Sequence, residues 1–337
     1  MIVLGIETSC DDTAVAVLDS EASVLANVVS SQDKIHQRFG GIVPELASRR
    51  HMESITPIVN DAISRAGITL NDIELIAVTR GPGLIGSLLV GFCYAKSLSY
   101  TLGIPYVGVD HMAGHLLSAF LEHSTPAFPY IALIVSGGTT SLFKVEDFNR
   151  FDLLGRTRDD AAGEAFDKIA RYLELGYPGG PVVSKRAEGG DTTALHLPRA
   201  WLEEGSLDFS FSGLKTSVIN HCHRIMQVDH LTEQQIMNTC ASFQQAVIDV
   251  LIEKTSTAAQ INDIRTVVLG GGVSANRSLR EQMSLRCGNE ELDLFLPSVE
   301  NCTDNGAMIA FAGVQQYWAG DRGANDDDVY SRSHLGR

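Results

Sequence analysis

Apolar runs broken by clusters of small polar residues open the chain. Residues 2–6 and 14–18 are apolar and flank Glu7-Thr8-Ser9-Cys10-Asp11-Asp12-Thr13, which predicts strand, polar turn, strand. The alternating segment 24–30 extends the pair into a meander. Pro44 begins a helical periodicity that runs to Ala66 and stops at Gly67, residue types suited to a helix start and stop. A buried strand over 75–79 empties into Gly81-Pro82-Gly83, which delivers a helix over 84–102. Another apolar run covers 104–109. Asp110 then suits an N-cap, and a helix starting there places His111 and His115 one turn apart on one face.

The pattern repeats farther on. Residues 130–135, the turn Ser136-Gly137-Gly138-Thr139-Thr140 and residues 141–145 again read as strand, small-residue turn, strand. Segments 76–83 and 267–272 are both apolar strands that end in glycines before a helix. Self-similarity at this separation predicts two related α/β halves. Between Asp159 and Lys215 glycine, proline and acids are frequent, with short helices over 163–173 and 181–187, which reads as an insertion into the second half. A long helix is expected over 232–259 and a last one over 307–318. The tail from Asp321 is poor in apolar residues and is expected to be loosely held.

Composition narrows the function classes. The 337 residues are 44% hydrophobic, enough for two cores. A formal charge of −15 disfavours unaided binding to phosphate backbones. The basic clusters Arg49-Arg50, Lys168 with Arg171, Lys185-Arg186 and Arg277 with Arg280 read as solvated helix faces, so a nucleic-acid substrate calls for their convergence or for a basic partner. Six scattered cysteines without a CxxC pair argue for a thiol-reduced compartment and against a cysteine zinc site. The longest apolar stretch, 84–95, is too short for a bilayer, and the acidic N-terminus has no basic leader, so neither a membrane span nor a signal peptide is expected.

Candidate chemistry lies in the turns. His111 and His115 have the spacing with which a helix grips one transition metal, although helices also carry such pairs as ordinary polar groups. Asp304, just before a helix, reads either as its cap or as a third, oxygen ligand. Ser136-Gly137-Gly138 leaves N–H groups free for an anion, or is a plain hairpin. Gly270-Gly271-Gly272-Val273-Ser274-Ala275-Asn276 leaves a strand for a helix, with Ser274 a natural N-cap and Asn276 an amide able to read a purine or ribose edge. It matches neither GxxxxGK[ST] nor GxGxxG, but a nucleotide suits it best. Asp11 suits a bridging cation, an oriented water or the role of proton acceptor, with a solvated turn acid as the alternative, and that alternative is the preferred reading of Asp12.

Together the motifs GIETSCDDTAVAV, GGIVPELASRRH, GPGLIGSLLVG, VDHMAGH, LIVSGGTTSL, DDAAGEAFDKIAR, YPGGP, DFSFSGLKT, GGGVSANRSLR and CTDNGAMIA occur in family order. From about Ile2 to Tyr317 the chain resembles the tRNA N6-adenosine threonylcarbamoyltransferase family, bacterial members included, once described as O-sialoglycoprotein endopeptidases. The resemblance implies an actin/sugar-kinase/Hsp70-like α/β fold of two lobes, a duplicated RNase H-like architecture with a nucleotide cleft. The lobes expected are 1–109, joined by the C-terminal helix 303–320, and 110–302 with a helical insertion over about 159–230, followed by the acidic tail 321–337.

The same resemblance implies transfer of threonylcarbamoyl from its adenylate, in an ATP/AMP-type site, to adenosine 3′ to the anticodon in tRNAs reading codons that begin with A. It implies a divalent metal, Fe²⁺ foremost and Zn²⁺ as the alternative, on His111, His115 and Asp304. Adenylate contacts are implied at Ile134, Val135, Ser136, Gly137, Gly138, Asp167, Gly180 and Asn276. The implied partners, in the cytoplasm, are tRNA, a paralogous TsaB-like dimerisation subunit and a small TsaE-like ATPase. Two positions depart from the family pattern: Thr139 stands where SGGHT has histidine, and Ser184 where an aspartate is common, which puts one imidazole and one ribose contact in doubt. A metalloprotease is disfavoured because Met112 occupies the place of the glutamate in HExxH. The remaining rivals are an ATPase or kinase of the same fold and a non-catalytic scaffold.

Overall fold

A computed structural model describes residues 1–203 and 205–336. In chain order the elements are β1 (Ile2–Glu7), β2 (Asp12–Asp19), β3 (Val24–Ser31), α1 (Asp33–His36), α2 (Pro44–Ala66), β4 (Leu75–Gly81), α3 (Ile85–Leu102), β5 (Tyr106–Asp110) and α4 (His111–Leu117). Then follow β6 (Tyr130–Val135), β7 (Thr140–Asp147), β8 (Arg150–Arg156), α5 (Ala162–Tyr172), α6 (Gly179–Ala187), α7 (Ser212–Met226) and α8 (Glu233–Asn262). The chain ends with β9 (Thr266–Gly270), α9 (Arg277–Asn289), β10 (Asp293–Phe295), α10 (Val299–Cys302) and α11 (Gly306–Trp318). No helix among the described residues is long and apolar enough to cross a membrane.

The strands form two five-stranded sheets, β3-β2-β1-β4-β5 and β8-β7-β6-β9-β10. Matched position by position, the second repeats the order of the first, so the duplication read from the turns extends to the whole sheet. Strand β8, which the apolar pattern did not announce, is the counterpart of β3. In the first sheet β1 pairs antiparallel with β2 and parallel with β4, and β4 pairs parallel with β5. In the second, β6–β9 and β9–β10 are parallel.

The first compact unit comprises Met1–Phe128, Val145–Asp152 and Pro297–Arg337. Its core joins Leu4, Ile6, Val15, Val17 and Val78 of the sheet to Ile55, Val59 and Ile63 of α2 and Phe92 of α3. Helix α11 lies against β1 at a distance only glycine permits. A Cβ on Gly5 would stand 2.2 Å from the Gly306 carbonyl oxygen, and one on Gly306 would stand 2.3 Å from the Ala16 nitrogen. This seating fixes the loop just before α11, where Asp304 sits.

The division differs from the one expected at 109/110. Helix α4 packs on α11 and therefore belongs to the first unit, as does Phe148, whose ring contacts Phe120, Phe128 and Phe311. The tail also departs from expectation, because polar contacts hold it where apolar ones are scarce. The Tyr106 hydroxyl donates to Ala324 O (2.6 Å), Lys96 Nζ to Asn325 O (2.9 Å), and Arg80 Nε to Asp328 O (2.7 Å).

The second unit comprises Pro129–Lys144 and Leu153–Leu296. Its core sets Ile131, Leu133 and Val135 of β6 among Phe166 of α5, Phe209, Phe211 and Phe243 of α8. Helix α8 begins with a reciprocal cap between Thr232 and Gln235.

Candidate metal centre and glycine turns

Strand β5 ends at Asp110, whose carboxylate accepts from Met112 N (2.9 Å) and caps α4 as its sequence suggested. One turn then brings His111 and His115 side by side, with ring centroids 4.7 Å apart. From the other end of the chain, Asp304 reaches both imidazoles. Its Oδ1 lies 3.0 Å from His115 Nε2 and 3.5 Å from His111 Nε2. Asp304 is not the cap of α11. Asn305 takes that role through Met308 N (2.9 Å), which leaves the aspartate free to face the histidines.

Behind His111 stands Glu7, fully buried at the end of β1. Its Oε2 lies 2.9 Å from His111 Nδ1, and its oxygens also accept from Ser9 N and the Thr79 hydroxyl. Burial opposes charge on His111, but the carboxylates of Glu7 and Asp304 outweigh it and raise its pKa to about 9. Burial likewise opposes charge on Asp304, and the His111 charge and the His115 hydrogen bond overcome it, holding the carboxyl down at about 2.

The donor set fits a divalent metal. One ligand atom from each of His111, His115 and Asp304 lies within 4.8 Å of the others. Ligands bonded at about 2.0–2.1 Å to one ion stand roughly 3.0–3.5 Å apart, close to the spacings to the Asp304 oxygen. The carboxylate on His111 Nδ1 is the usual partner of a metal-bound imidazole, since it keeps the proton on that nitrogen and frees Nε2. His115 Nδ1 is buried without a hydrogen-bond partner. Glu7 escaped the reading of the sequence as a site residue. Its only signal is a lone carboxylate closing an otherwise apolar strand.

The acids of the first turn are nearby in charge if not in contact. Burial raises the Asp11 pKa, and the Asp33 and Asp304 charges add to it. Asp12 is not the solvated acid expected. Burial, then the charges of Asp304 and Asp11, push it up to about 7, and its Oδ1 is buried with no partner.

The remaining predicted residues lie in the second unit. Ile134 pairs with Gly270, so the Ser136–Gly138 turn and the 270–272 turn leave adjacent parallel strands, β6 and β9, at their carboxyl ends. In open α/β sheets ligands bind at this edge. Gly271 adopts φ +83° and packs so closely that an added Cβ would stand 2.5 Å from Val135 O. Gly137 and Gly138 are exposed and face open space. Ile134 and Val135 are wholly buried, backbone included, so neither presents an exposed atom to a ligand.

Asp167 accepts from Gly179 N (2.6 Å) at the start of α6, next to Gly180, whose α-carbon is unobstructed. The expected capping by Ser274 does not occur. Asn276 caps α9 through Leu279 N (3.0 Å) and donates to Gln244 Oε1 (2.8 Å), whereas the Ser274 hydroxyl is buried and unpartnered. Both ends of the Asn276 amide are thus engaged within the protein.

Residues 23–311 match the family model described as TsaD, tRNA N6-adenosine threonylcarbamoyltransferase. A protein of that name from Desulfotalea psychrophila is 57% identical over 337 residues, covering 100% of this chain and 98% of its own. One from Moorella thermoacetica is 50% identical over 315 residues, covering 94% and 92%. Among solved structures, full-length HypF in its phosphate- and nucleotide-bound form aligns with a TM-score of 0.61 at 14% identity, over 95% of this chain and 47% of that one. That likeness shows a shared fold.

Proposed function

Because the chain belongs to the tRNA N6-adenosine threonylcarbamoyltransferase family, we propose that it transfers threonylcarbamoyl from threonylcarbamoyl-adenylate to N6 of adenosine in tRNA, with release of AMP. The acceptor is the adenosine at position 37, 3′ to the anticodon, in tRNAs that read codons beginning with A. The observation that carries the metal-dependent form of this reading is the convergence of His111, His115 and Asp304 with Glu7 behind His111.

His111, His115 and Asp304 would hold one divalent metal, Fe²⁺ by family resemblance with Zn²⁺ compatible with the same donors. When bound, such an ion supplies a Lewis acid for the oxygens of the adenylate. The other roles belong to the chain itself. Glu7 keeps the proton on His111 Nδ1, so that Nε2 presents its lone pair. The backbone of the exposed Gly137–Gly138 turn, with the 270–272 turn beside it, binds and orients the AMP portion. Asp167 and Gly180 shape the ribose side, and Asn276, through its cap on α9, keeps the 270–276 turn in place.

In the transfer step the adenine N6 forms a bond to the carbamoyl carbon. The bond from that carbon to the phosphate oxygen breaks, AMP takes the electron pair, and N6 loses one proton. Asp11 is the acceptor proposed for that proton, its affinity for it increased by burial. The exocyclic amine is a weak nucleophile, so positioning contributes much of the acceleration.

The acidic chain does not hold tRNA by charge alone. It works in the cytoplasm with a paralogous TsaB-like subunit and a small TsaE-like ATPase. The test incubates the protein and these partners with threonylcarbamoyl-adenylate and unmodified tRNA, and follows AMP and modified adenosine by mass spectrometry. Product that disappears in His115→Ala supports the assignment. No product from the unsubstituted protein, with both substrates bound, overturns it.

A further inference from the structure

The tail reaches back to the helix that carries both histidines. Tyr330 N donates to Arg80 O (3.1 Å), and Tyr330 lies so close to β4 that a Cβ on Gly81 would stand 2.2 Å from its carbonyl oxygen. From there the Tyr330 hydroxyl donates to Asp110 Oδ2 (2.9 Å), and the Ser333 hydroxyl donates to the same oxygen (2.8 Å). The other oxygen of Asp110 is the one that caps α4 at Met112 N. One buried carboxylate therefore joins residues 330 and 333 to the first turn of α4, adjacent to His111.

We infer that Tyr330 and Ser333 are positioning residues for the metal centre, acting through Asp110. The inference rests on the reading of His111, His115 and Asp304 as metal ligands. The physical reason is geometric. Helix α4 spans seven residues, too short to hold its own form, so its start depends on outside contacts. A carboxylate whose second oxygen is gripped by two hydroxyls cannot swing away from Met112 N. With that hold the His111 ring keeps its place between Glu7 and Asp304. Without it the first turn frays, and His111 is the residue nearest the fray.

The test uses the full chain with Tyr330→Phe and Ser333→Ala together. Metal affinity is read from the visible absorption of bound Co²⁺ in competition with a chelator, beside a thermal melt. The expected result is about tenfold weaker Co²⁺ binding with an altered absorption band, the size usual for residues that orient metal ligands. Ser333→Thr, which keeps the hydroxyl, is expected to retain the unsubstituted affinity and spectrum. Should the double variant not fold, Ser333→Ala alone carries the same comparison. Unchanged Co²⁺ affinity and spectrum in a folded variant, even with a lower melting point, would overturn the inference and leave the tail a stabilising strap. Equal Co²⁺ binding by the unsubstituted protein and His115→Ala would instead overturn the metal reading, and this inference with it.

Discussion

Glu7→Gln is the substitution whose consequence the structure defines most closely. The carboxylate accepts from three donors: Ser9 N, the Thr79 hydroxyl and His111 Nδ1. An amide of the same shape can satisfy only part of this set. With its oxygen towards His111 and Thr79, its NH₂ meets the Ser9 N–H, donor against donor. Turned the other way, its NH₂ faces His111 Nδ1, which must then accept, and the imidazole proton moves to Nε2, the atom facing Asp304. Either orientation loses a hydrogen bond to a buried charged group, a cost of roughly 1.5–3 kcal/mol. The second also removes the lone pair a metal needs. Metal affinity is expected to fall about 10–100-fold. A chelator competition with Co²⁺ or Zn²⁺ measures it, a thermal melt measures the stability loss, and His115→Ala serves as the non-binding reference. Affinity within threefold (~0.7 kcal/mol) of the unsubstituted protein, in a variant destabilised as expected, would refute the role assigned to Glu7.

Asp12 yields a prediction with a definite sign. Its folded-state pKa is raised from 3.8 to about 7, so folding favours the protonated acid, and stability is lost as pH rises through that window. In the metal-free protein Asp12→Asn should therefore raise the melting point more at pH 8 than at pH 4. The limiting gain is on the order of 4 kcal/mol, and an equal shift at both pH values would contradict the burial argument. Gly271→Ala places a side chain at φ +83° and against Val135 O, so a stability loss of about 2–4 kcal/mol and weaker adenylate binding are expected, read by denaturant unfolding and calorimetry. Wild-type adenylate affinity in that variant would remove the 270–272 turn from the binding site.

Much of this architecture was legible because its signals are local. Pro44 and Gly67 bound a helix whose every feature lies within its own sequence, and the C-cap residue does adopt the left-handed conformation. Asp110 and the histidine spacing were readable for the same reason. What escaped depends on contacts between distant segments. Nothing near Glu7 indicates that a histidine 104 residues away will meet it. The choice between Asp304 and Asn305 as helix cap turned on how α11 settles against Gly5. Ser274 and Asn276 are equally good caps by type, and the short turn over residues 272–275 decided for the latter. The tail looked loose because its anchors are hydroxyls and backbone carbonyls, which leave no hydrophobic pattern. Asp12 looked solvated because a turn acid beside a strand gives no sign that the strand start will be buried.

Removing the metal and returning it probes whether threonylcarbamoyl transfer depends on the His111–His115–Asp304 centre. Protein stripped by a chelator is mixed with partners, threonylcarbamoyl-adenylate and unmodified tRNA, and modified adenosine is counted before and after one equivalent of Fe²⁺ or Zn²⁺. Little product is expected from the stripped protein, with recovery on metal addition and no recovery in Asp304→Ala. Undiminished product from the stripped protein, or recovery in Asp304→Ala equal to that of the unsubstituted chain, would remove the metal centre from the reaction.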